Sequence, residues 1–265
     1  MLPTPLINWP LQLQEQRLRK LRVEEACKEY GLHPSDRNIS AISIEKLTFI
    51  PQYNLLYCRI PKAGTTSWVE GTIRKMARKV GLGLKSRQQL QAHFKVENME
   101  MLNKILEGDP VSFANVRHPF ERLVSAYIDK VQRQTQGKVQ KKSWDEFLKI
   151  VLKEVKKSPD KKKRKEMEKN IYRHTRPYNN HCSFCILKYK VISKMETFDE
   201  DRNQILDMVG LEGKKEDEKL NVHGGDKTSD LTRKYFKNIS QKLKKKLLDL
   251  YKHEFALFDY QTELF

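Results

Sequence analysis

The chain has 265 residues, and its 52 Lys and Arg outnumber its 34 Asp and Glu to give a net charge of +18. This length fits one good-sized α/β domain, and the charge favours an anionic partner such as a nucleic acid, an anionic membrane or a polyanionic glycan. No apolar run reaches the length of about 18 residues that a membrane-spanning helix needs, which excludes such a helix. The N-terminal residues also lack the basic and apolar regions of a signal peptide, so we expect any membrane anchor to lie outside this sequence.

The predicted elements begin with a polar helix over residues 11–30. Two short extended segments follow within 44–60, and the second, YNLLYC, is apolar on both faces, as a buried parallel strand is. After a loop at 61–65, apolar residues recur at helical spacing from Trp68 to Val80. The stretch IPKAGTTSW therefore lies where a strand turns into a helix.

A second strand–helix junction comes later in the chain. The stretch PVSFANV, 110–116, is predicted to be a strand, and Pro119 suits the first turn of the helix that follows it. This helix is apolar on one face and carries on the other face His118, Glu121, Arg122, Ser125 and Asp129. Two strand–helix units at this separation predict an α/β fold with a central parallel sheet flanked by helices.

The rest of the chain is predicted from composition and periodicity. Residues 153–169 are rich in charge, and we expect them to form an exposed basic insertion. Periodicity then predicts three further elements: a strand within 182–198, a short helix over 201–211 and a long amphipathic helix over 228–258. We expect a helical N-terminal extension, 1–40, ahead of a single main domain, 41–265.

The first junction has the composition of an anion-binding loop. In open α/β sheets the ligand crevice lies at the carboxyl ends of the strands, where helix N-termini offer N–H groups and partial positive charge. Four side chains would add donors to this cradle: Lys62, Thr65, Thr66 and Ser67. Gly64 lets the backbone approach a phosphate-like anion. The lysine precedes the glycine, unlike the Walker order G-x-x-x-x-G-K-[ST], which disfavours a nucleotide triphosphatase; an ordinary strand-to-helix turn is the alternative.

The second junction offers a second anion site. Arg117 falls at the end of its strand, and Ser125 lies two turns into the helix, away from its apolar face. A guanidinium and a hydroxyl at this place would hold a phosphate with charge-assisted hydrogen bonds of about 1.5–3 kcal/mol each. Two such sites on neighbouring strand ends suit a ligand with two separated phosphate-like groups.

These motifs resemble those of a known family. IPKAGTTSW resembles the 5′-phosphosulfate loop of sulfotransferases, and VRHPFERLVSAY is similar to the 3′-phosphate motif of the Golgi carbohydrate sulfotransferases of the HNK-1, chondroitin and dermatan 4-sulfotransferase group. HTRPYNNHCSFCILKYKVISKMETFDED and YKHEFALFDY resemble later segments of that group. The likeness runs from about residue 20 to residue 260, and Ala63-Gly64-Thr65 and Thr175 depart from the residues usual in the group.

The resemblance implies a P-loop-like sulfotransferase fold and the donor 3′-phosphoadenosine 5′-phosphosulfate, with no metal. It places the phosphosulfate of the donor against Pro61, Lys62, Ala63, Gly64, Thr65, Thr66 and Ser67. It places the 3′-phosphate against Arg117, His118, Pro119, Phe120, Glu121, Arg122, Leu123, Val124 and Ser125. Lys62 is expected to be catalytic because sulfuryl transfer needs the charge on the departing phosphate to be stabilised.

The resemblance also implies an acceptor, which is a sugar hydroxyl of an anionic glycan. The leading expectation is the 4-hydroxyl of N-acetylgalactosamine in chondroitin or dermatan. A terminal N-acetylgalactosamine or a glucuronic acid stays open as the acceptor. The compartment that the resemblance implies is the Golgi lumen.

One alternative function is that of a small-molecule kinase, which needs a Walker-type lysine and a magnesium carboxylate. The other is a non-catalytic polyanion-binding module, which needs aromatic residues among its basic runs. The motifs show neither feature, and 153–169 has no aromatic residue, so no nucleic-acid partner is expected.

A catalytic base is expected, because the acceptor hydroxyl must lose a proton as it attacks sulfur. Histidine is the best-matched residue near neutral pH. His174 is the preferred candidate because it begins the segment that resembles the His-x-x-Pro block of the group. His93, between the two donor motifs, is the second candidate, and a carboxylate such as Glu70 or Glu121 stays open.

The four cysteines permit two disulfides in three possible pairings. Given the secretory lumen that the resemblance implies, we expect all four to be oxidised. Cys182 and Cys185 are close enough in sequence to bond each other, which would leave Cys27 with Cys58, and the crossed pairings stay open. The spacing is not a standard zinc pattern, so no metal is expected.

Overall fold

The computed structural model describes residues 11–32, 43–133, 142–156, 166–211 and 228–262. In these residues the central sheet consists of β1 (Leu47–Ile50), β2 (Leu55–Cys58), β3 (Val111–Val116) and β4 (Val191–Lys194). The strand order is β1-β2-β3-β4, in which β2, β3 and β4 run parallel and β1 pairs antiparallel with β2. This arrangement confirms the predicted α/β class with a mostly parallel sheet.

Helices account for much of the rest of the described chain. They are α1 (Leu11–Glu29), α2 (Arg74–Lys79), α3 (Arg87–His93), α4 (Met99–Glu107), α5 (Pro119–Tyr127), α6 (Trp144–Lys156), α7 (Glu166–Thr175), α8 (Asn179–Cys182), α9 (Phe198–Met208), α10 (Thr228–Phe236), α11 (Gln241–Leu250) and α12 (Lys252–Leu257). A π-helical stretch, Ser67–Ile73, runs directly into α2, which confirms the helix predicted after the first loop. Among the helices of the described segments, none is both long and apolar enough to cross a membrane.

The two central strands are buried on both faces, which explains their apolar sequences. Alternate residues of a strand point to opposite faces, so Leu56 packs in one core cluster with residues of α1 and α8. Tyr57 packs in another cluster with Trp68 and Phe113. The Tyr57 and Phe113 rings stack with centroids 4.5 Å apart, and Trp68 lies 4.3 Å from Phe113. These rings hold the helix after the first loop against the sheet.

The predicted N-terminal helix is confirmed as α1, whose buried face is polar in its first half and apolar in its second half. Gln16 and Arg19 are buried, and the Arg19 guanidinium donates to both carboxylate oxygens of Asp201 at 3.0 and 2.8 Å. Arg19 also donates to Ile192 O in β4 at 2.8 Å. The apolar stripe of this helix is incomplete because two of its buried positions are polar. The residues that these polar side chains bind are far away in the chain, so the sequence does not reveal them. The boundary expected at residue 40 lies outside the described residues and stays a prediction.

The long helix predicted over 228–258 is wrong, because α10, α11 and α12 share this range. The first break precedes Ser240, whose hydroxyl caps α11 by accepting a hydrogen bond from Leu243 N at 3.3 Å. Serine favours such caps because its side chain competes for backbone groups. The second break falls at Tyr251, whose side chain is fully buried. A continuous apolar pattern therefore spans three separate helices.

Other expectations from periodicity are confirmed. The strand predicted within 182–198 is β4, and the helix predicted over 201–211 overlaps α9. Of the predicted basic insertion, 153–169, the first residues belong to α6 and the last to α7. Its centre, 157–165, lies outside the described residues.

The disulfide expected within the C-x-x-C is wrong. The structure joins Cys27 to Cys185 and Cys58 to Cys182, with Cα atoms 5.6 and 5.8 Å apart. Cys182 ends α8, and Ser183 then adopts a left-handed conformation with φ 45°, so the two cysteines of the motif meet different partners. All four cysteines are oxidised, as expected. One bond ties α8 to the end of β2, and the other ties α1 to the segment after α8.

Candidate active site

The two predicted anion-binding motifs meet at one edge of the sheet. β2 and β3 are parallel neighbours, so the segments that follow them leave the sheet side by side. Asn115 Nδ2 of β3 donates to Ala63 O in the first loop at 2.9 Å. Arg117 Nη1 donates to Lys62 O at 3.4 Å. The structure thus joins both motifs at the carboxyl ends of parallel strands, the usual ligand crevice of such sheets.

The loop 61–66 begins with a tight turn, 61–64, that requires a glycine and enters the helix at Thr65. Gly64 has φ +71°, and a Cβ at this position would lie 2.7 Å from Asn115 Nδ2. Lys62 also has a positive φ of 68°, and Thr65 Oγ1 donates to the carbonyl five residues before it at 2.5 Å. The helix that follows begins with N–H groups that lack intrahelical partners. The backbone here can therefore approach an anion and donate to it.

The Lys62 ammonium contacts the carboxylate of Asp129, and only 15% of the Lys62 side chain is exposed. Asp129 lies in the π-helical stretch Ile128–Gln132 after α5 and also pairs with Lys130 at 2.9 Å. Burial lowers the pKa of Lys62, and the contact with Asp129 opposes that shift. Burial raises the pKa of Asp129, but the two lysines outweigh burial and bring this pKa to about 2. Asp129 is therefore ionised at neutral pH and ties the first loop to the end of α5.

Arg117 lies at the carboxyl end of β3, where the sequence predicted it. Its side chain is 12% exposed and pairs with Glu121 at 3.2 Å. The Tyr178 hydroxyl fixes its backbone, because it donates to Arg117 O at 2.5 Å and accepts from Arg117 N at 3.1 Å. Ser125 lies on α5 and is buried. Glu121, a predicted donor ligand and alternative base, is thus an ion-pair partner of Arg117 in the structure.

Other residues of the second motif point into the protein. The apolar members are fully buried: Phe120, Leu123 and Val124. Pro119 is buried at the start of α5. His118 caps this helix, since its Nδ1 accepts from Phe120 N at 3.3 Å, and its Nε2 lies 3.1 Å from Gln261 O. Direct donor contact by these interior residues stays a prediction.

Arg122 is only 1% exposed and caps the C-terminus of α7. Its Nη2 donates to Thr175 O at 2.9 Å and to Arg176 O at 2.6 Å. Its guanidinium lies 4.3 Å from the centroid of the Tyr178 ring, and Tyr251 Oη also donates to Thr175 O at 2.6 Å. The last carbonyls of a helix lack intrahelical partners and carry partial negative charge, so a buried cation is well placed here. This contact joins the donor-motif helix to the helix that carries His174.

His174 lies one residue before the end of α7. Its Nδ1 is 2.7 Å from Asn170 O, and because a carbonyl only accepts, Nδ1 carries the proton and Nε2 is the acceptor of the neutral ring. Burial lowers the pKa of His174 to about 4, and the charges of Lys130 and Lys62 add to this shift. Asp129 opposes it. His174 is therefore neutral at pH 7 and is close enough to Lys62 to feel its charge.

The other predicted bases are placed differently. His93 is the last residue of α3 and is exposed. Its ring meets that of Phe94 edge-on, with centroids 4.7 Å apart, and no described contact brings it to Lys62. Glu70 faces Arg87 at 3.7 Å, and Arg87 is 3.5 Å from Thr66 Oγ1. Among the candidates, His174 is the histidine whose surroundings include the lysine of the first loop.

These contacts define an α/β protein with two strand ends that are predicted to bind anions and a neutral histidine within reach of the charge of Lys62. A comparison with protein families matches residues 45–261 to the sulfotransferase family. The match covers most of the chain, and the protein belongs to the sulfotransferase family, as its two motifs predicted.

Similar proteins carry names of carbohydrate sulfotransferases, which confirms the predicted resemblance. The chain is 26% identical over 274 residues to carbohydrate sulfotransferase 11 of Mus musculus, covering 93% of this chain and 76% of that protein. It is 24% identical over 283 residues to carbohydrate sulfotransferase 8 of Mus musculus, with coverages of 96% and 65%. It is 23% identical over 296 residues to carbohydrate sulfotransferase 10 of Danio rerio, with coverages of 98% and 78%. No solved structure matches the chain significantly.

Proposed function

We propose that this protein is a carbohydrate sulfotransferase that transfers the sulfuryl group of 3′-phosphoadenosine 5′-phosphosulfate to a hydroxyl of an anionic glycan. The observation that carries the proposal is the junction of the two motifs, where Arg117 donates to the carbonyl of Lys62. Two anion sites on adjacent strand ends match the two separated phosphates of this donor. The likeness to three carbohydrate sulfotransferases supports a sugar as the acceptor.

Lys62 is the proposed electrostatic catalyst. During transfer the acceptor oxygen bonds to sulfur, the bond from sulfur to the bridging oxygen breaks, and negative charge develops on the departing phosphate. The Lys62 ammonium and the N–H groups of the loop 61–66 would stabilise this charge. Gly64 permits the tight turn of this loop and its close packing against Asn115, which holds Lys62 at the end of β2. Because the ammonium contacts Asp129 in the structure, donor binding has to compete with that ion pair.

Arg117 and Ser125 are the proposed partners of the 3′-phosphate. This phosphate is unchanged by the reaction, so contacts to it hold donor and desulfated product equally and do not favour the transition state. Glu121 holds the Arg117 side chain and Tyr178 holds its backbone. Such preorganisation lowers the entropy lost on binding.

His174 is the proposed general base. Its Nε2 takes the proton of the acceptor hydroxyl as the sugar oxygen bonds to sulfur, while Nδ1 keeps its hydrogen bond to Asn170. A pKa of about 4 keeps the ring neutral before reaction but makes it a weak base. A bound donor brings negative charge that stabilises the imidazolium, so its binding raises the pKa of His174 towards the usual range.

The proposed acceptor is chondroitin or dermatan, with transfer to the 4-hydroxyl of N-acetylgalactosamine. The net charge of +18 suits a polyanionic chain. The proposed compartment is the Golgi lumen, since an oxidising secretory compartment preserves the disulfides Cys27–Cys185 and Cys58–Cys182.

A transfer assay tests this function. The protein is incubated with donor labelled in the sulfuryl group and with desulfated chondroitin, desulfated dermatan and oligosaccharides ending in N-acetylgalactosamine, and the product disaccharides are analysed. We expect label on the 4-hydroxyl of N-acetylgalactosamine. Label on another hydroxyl would correct the acceptor and keep the class, whereas no label on any glycan would contradict the proposal. A parallel incubation with γ-labelled ATP tests the kinase alternative, and we expect no transfer from it.

A further inference from the structure

Four cations lie together beside the candidate active site, and we call them the rim cluster. Its members are Lys46, Arg59, Arg173 and Arg176. Arg59 and Arg176 both contact Glu45, the neighbour of Lys46, and the charge of Arg173 also acts on Lys46. Arg59 directly follows β2 and precedes Lys62 in the first loop, and Arg176 directly follows α7, which carries His174. The proposed reaction uses none of the four. The rim cluster therefore borders the proposed catalytic residues without belonging to the donor site.

The fold forces two of these charges together. Lys46 and Arg59 are neighbours just beyond the β1–β2 pair, where Arg59 N donates to Lys46 O at 2.9 Å. Side chains directly opposite each other on antiparallel strands lie about 5 Å apart, and like charges at such positions destabilise the pair. Burial lowers the pKa of Lys46 to about 8, and the charge of Arg176 adds to this shift. An anion bound between these cations would relieve their repulsion.

The protein itself compensates the rim cluster only in part. Among the described residues, Glu45 is the carboxylate that pairs with it, at 3.6 Å from Arg176, and 57% of the Glu45 side chain is exposed. The Glu45 carbonyl accepts from Arg59 Nη2 at 2.5 Å. Arg59 Nε is buried and has no hydrogen-bond partner among the described residues. Buried donors are nearly always paired in folded proteins, so this nitrogen marks a place for an acceptor atom.

A cavity of about 530 Å³ opens beside Arg59. Its lining includes Ile44, Arg59, Gln91, Lys95 and Val96. Two carboxylates, Glu45 and Glu97, also line it, and Glu97 pairs with Lys95 at 3.2 Å. The volume is in the range of ligand sites. The apolar and amide side chains suit a sugar ring, and Arg59, whose Nε has no partner among the described residues, offers a donor to an anionic group.

We propose that the rim cluster and this cavity hold the anionic group of a sugar that flanks the sugar receiving the sulfuryl group. The inference rests on the proposed sulfotransferase function and adds the path of the acceptor chain, from His174 past Arg176 to Arg59. The ligand group is a carboxylate or a sulfate, since guanidinium groups bind both oxyanions through paired hydrogen bonds. This site selects acceptors by the charge next to the modified sugar and takes no part in donor binding.

Three acceptors test the site and separate the two sources of charge. Unsulfated chondroitin carries only carboxylates, carboxyl-reduced chondroitin 6-sulfate carries only sulfates, and carboxyl-reduced unsulfated chondroitin is neutral. The KM for each acceptor and kcat are measured at saturating donor. We expect the wild-type protein to have a KM about 10- to 100-fold lower for at least one charged acceptor than for the neutral one, as one or two charge-assisted hydrogen bonds provide. Arg59→Gln should remove this preference and change kcat little.

Two further variants test whether the effect belongs to the rim cluster or follows from the loss of any surface cation. Arg176→Gln removes a second charge of the rim cluster, from the end of α7, and should also raise the KM for the charged acceptor. Lys104→Gln is the matched control, because Lys104 is an exposed lysine of α4 that pairs with Glu100. It should leave the KM unchanged. Calorimetry with adenosine 3′,5′-bisphosphate verifies that each variant keeps a folded donor site.

The outcomes distinguish this site from the proposed function. A wild-type KM that ignores acceptor charge, or an equal loss in Lys104→Gln, would overturn the site. Binding of each glycan is also measured by calorimetry, so the site is tested even without turnover. Arg59-dependent binding without any transfer would support the site and contradict the sulfotransferase function. Transfer with an unchanged KM in Arg59→Gln would support the sulfotransferase function and contradict the site.

Discussion

The two strand–helix junctions of the candidate site present their charges in different ways. At the end of β2, the tight loop 61–66 leaves the Lys62 side chain beside Asp129 at the site. At the end of β3, Arg117 stays at the sheet edge, whereas Arg122 is buried and binds carbonyls at the end of α7. The first junction is the proposed binding loop, while the second is mainly a joint between helices, with Arg117 as its one proposed donor-binding arginine.

This difference follows from helical geometry. Arg117 precedes α5 and pairs with Glu121, and Ser125, four residues after Glu121, lies on the same side of α5. Arg122 is one residue away from Glu121 and so points about 100° around the helix axis, into the protein. This short motif thus carries both Arg117, a proposed donor ligand, and Arg122, which holds the end of α7, and substitutions can separate these roles.

The largest effect is expected at the first junction. Lys62→Ala removes the cation proposed to stabilise the departing phosphate, so turnover in the labelled-donor assay should fall about 100- to 1000-fold. Lys79→Ala is the matched control, because Lys79 is an exposed lysine of α2, and it should leave turnover unchanged. Near-normal turnover in Lys62→Ala would remove Lys62 from the mechanism.

A smaller loss of turnover is expected when His174 is replaced, the histidine of the helix α7 that the second junction holds in place. His174→Ala should lower turnover about 100-fold, as loss of a general base does, and should leave the affinity for adenosine 3′,5′-bisphosphate unchanged. The base works only as the neutral ring, so wild-type turnover should fall as pH drops through the pKa of His174. This pKa is about 4 in the free protein and higher with donor bound, and the variant should lack this acidic limb. An acidic limb that persists in His174→Ala would assign the proton to another group.

The contact by which Arg122 joins α5 to the end of α7 is tested by measuring the free energy of unfolding. Arg122→Met removes two charge-assisted hydrogen bonds to the end of α7, and the free energy of unfolding should fall by about 3 kcal/mol. Tyr251→Phe removes a single hydroxyl from the same Thr175 carbonyl and should cost about 1 kcal/mol. Urea unfolding measures both. Equal stability of Arg122→Met and the wild-type protein would contradict the structural role of this arginine.

The elements that the sequence predicts well are those whose signals are local. The strand before Pro61, the strand 110–116 and the helices after both are confirmed because apolar periodicity and the turn residues lie within a few positions of one another. The tight turn of the first loop also has a local signal, since Gly64 suits the positive φ that it adopts there, whereas anion binding by this loop stays a prediction.

The features that the sequence does not predict depend on distant partners. Lys62 and Asp129 are 67 positions apart, and Asp129 becomes informative only when α5 is packed beside the loop. The disulfide partner of Cys27 is 158 positions away, so spacing favoured the wrong pair. The polar anchor of α1 through Arg19 has the same origin. No periodic pattern records such contacts, because each is a single pair that the tertiary fold brings together.

If both junctions bind one donor molecule, the desulfated product should also contact both of them. Calorimetry with adenosine 3′,5′-bisphosphate is performed on the wild-type protein and on Arg117→Ala, with Lys79→Ala as the control. We expect one bound molecule per chain and an affinity at least about tenfold lower in Arg117→Ala, because a charge-assisted hydrogen bond is lost. An affinity that is unchanged in Arg117→Ala, or no binding by the wild-type protein, would contradict the binding of one donor molecule by both junctions.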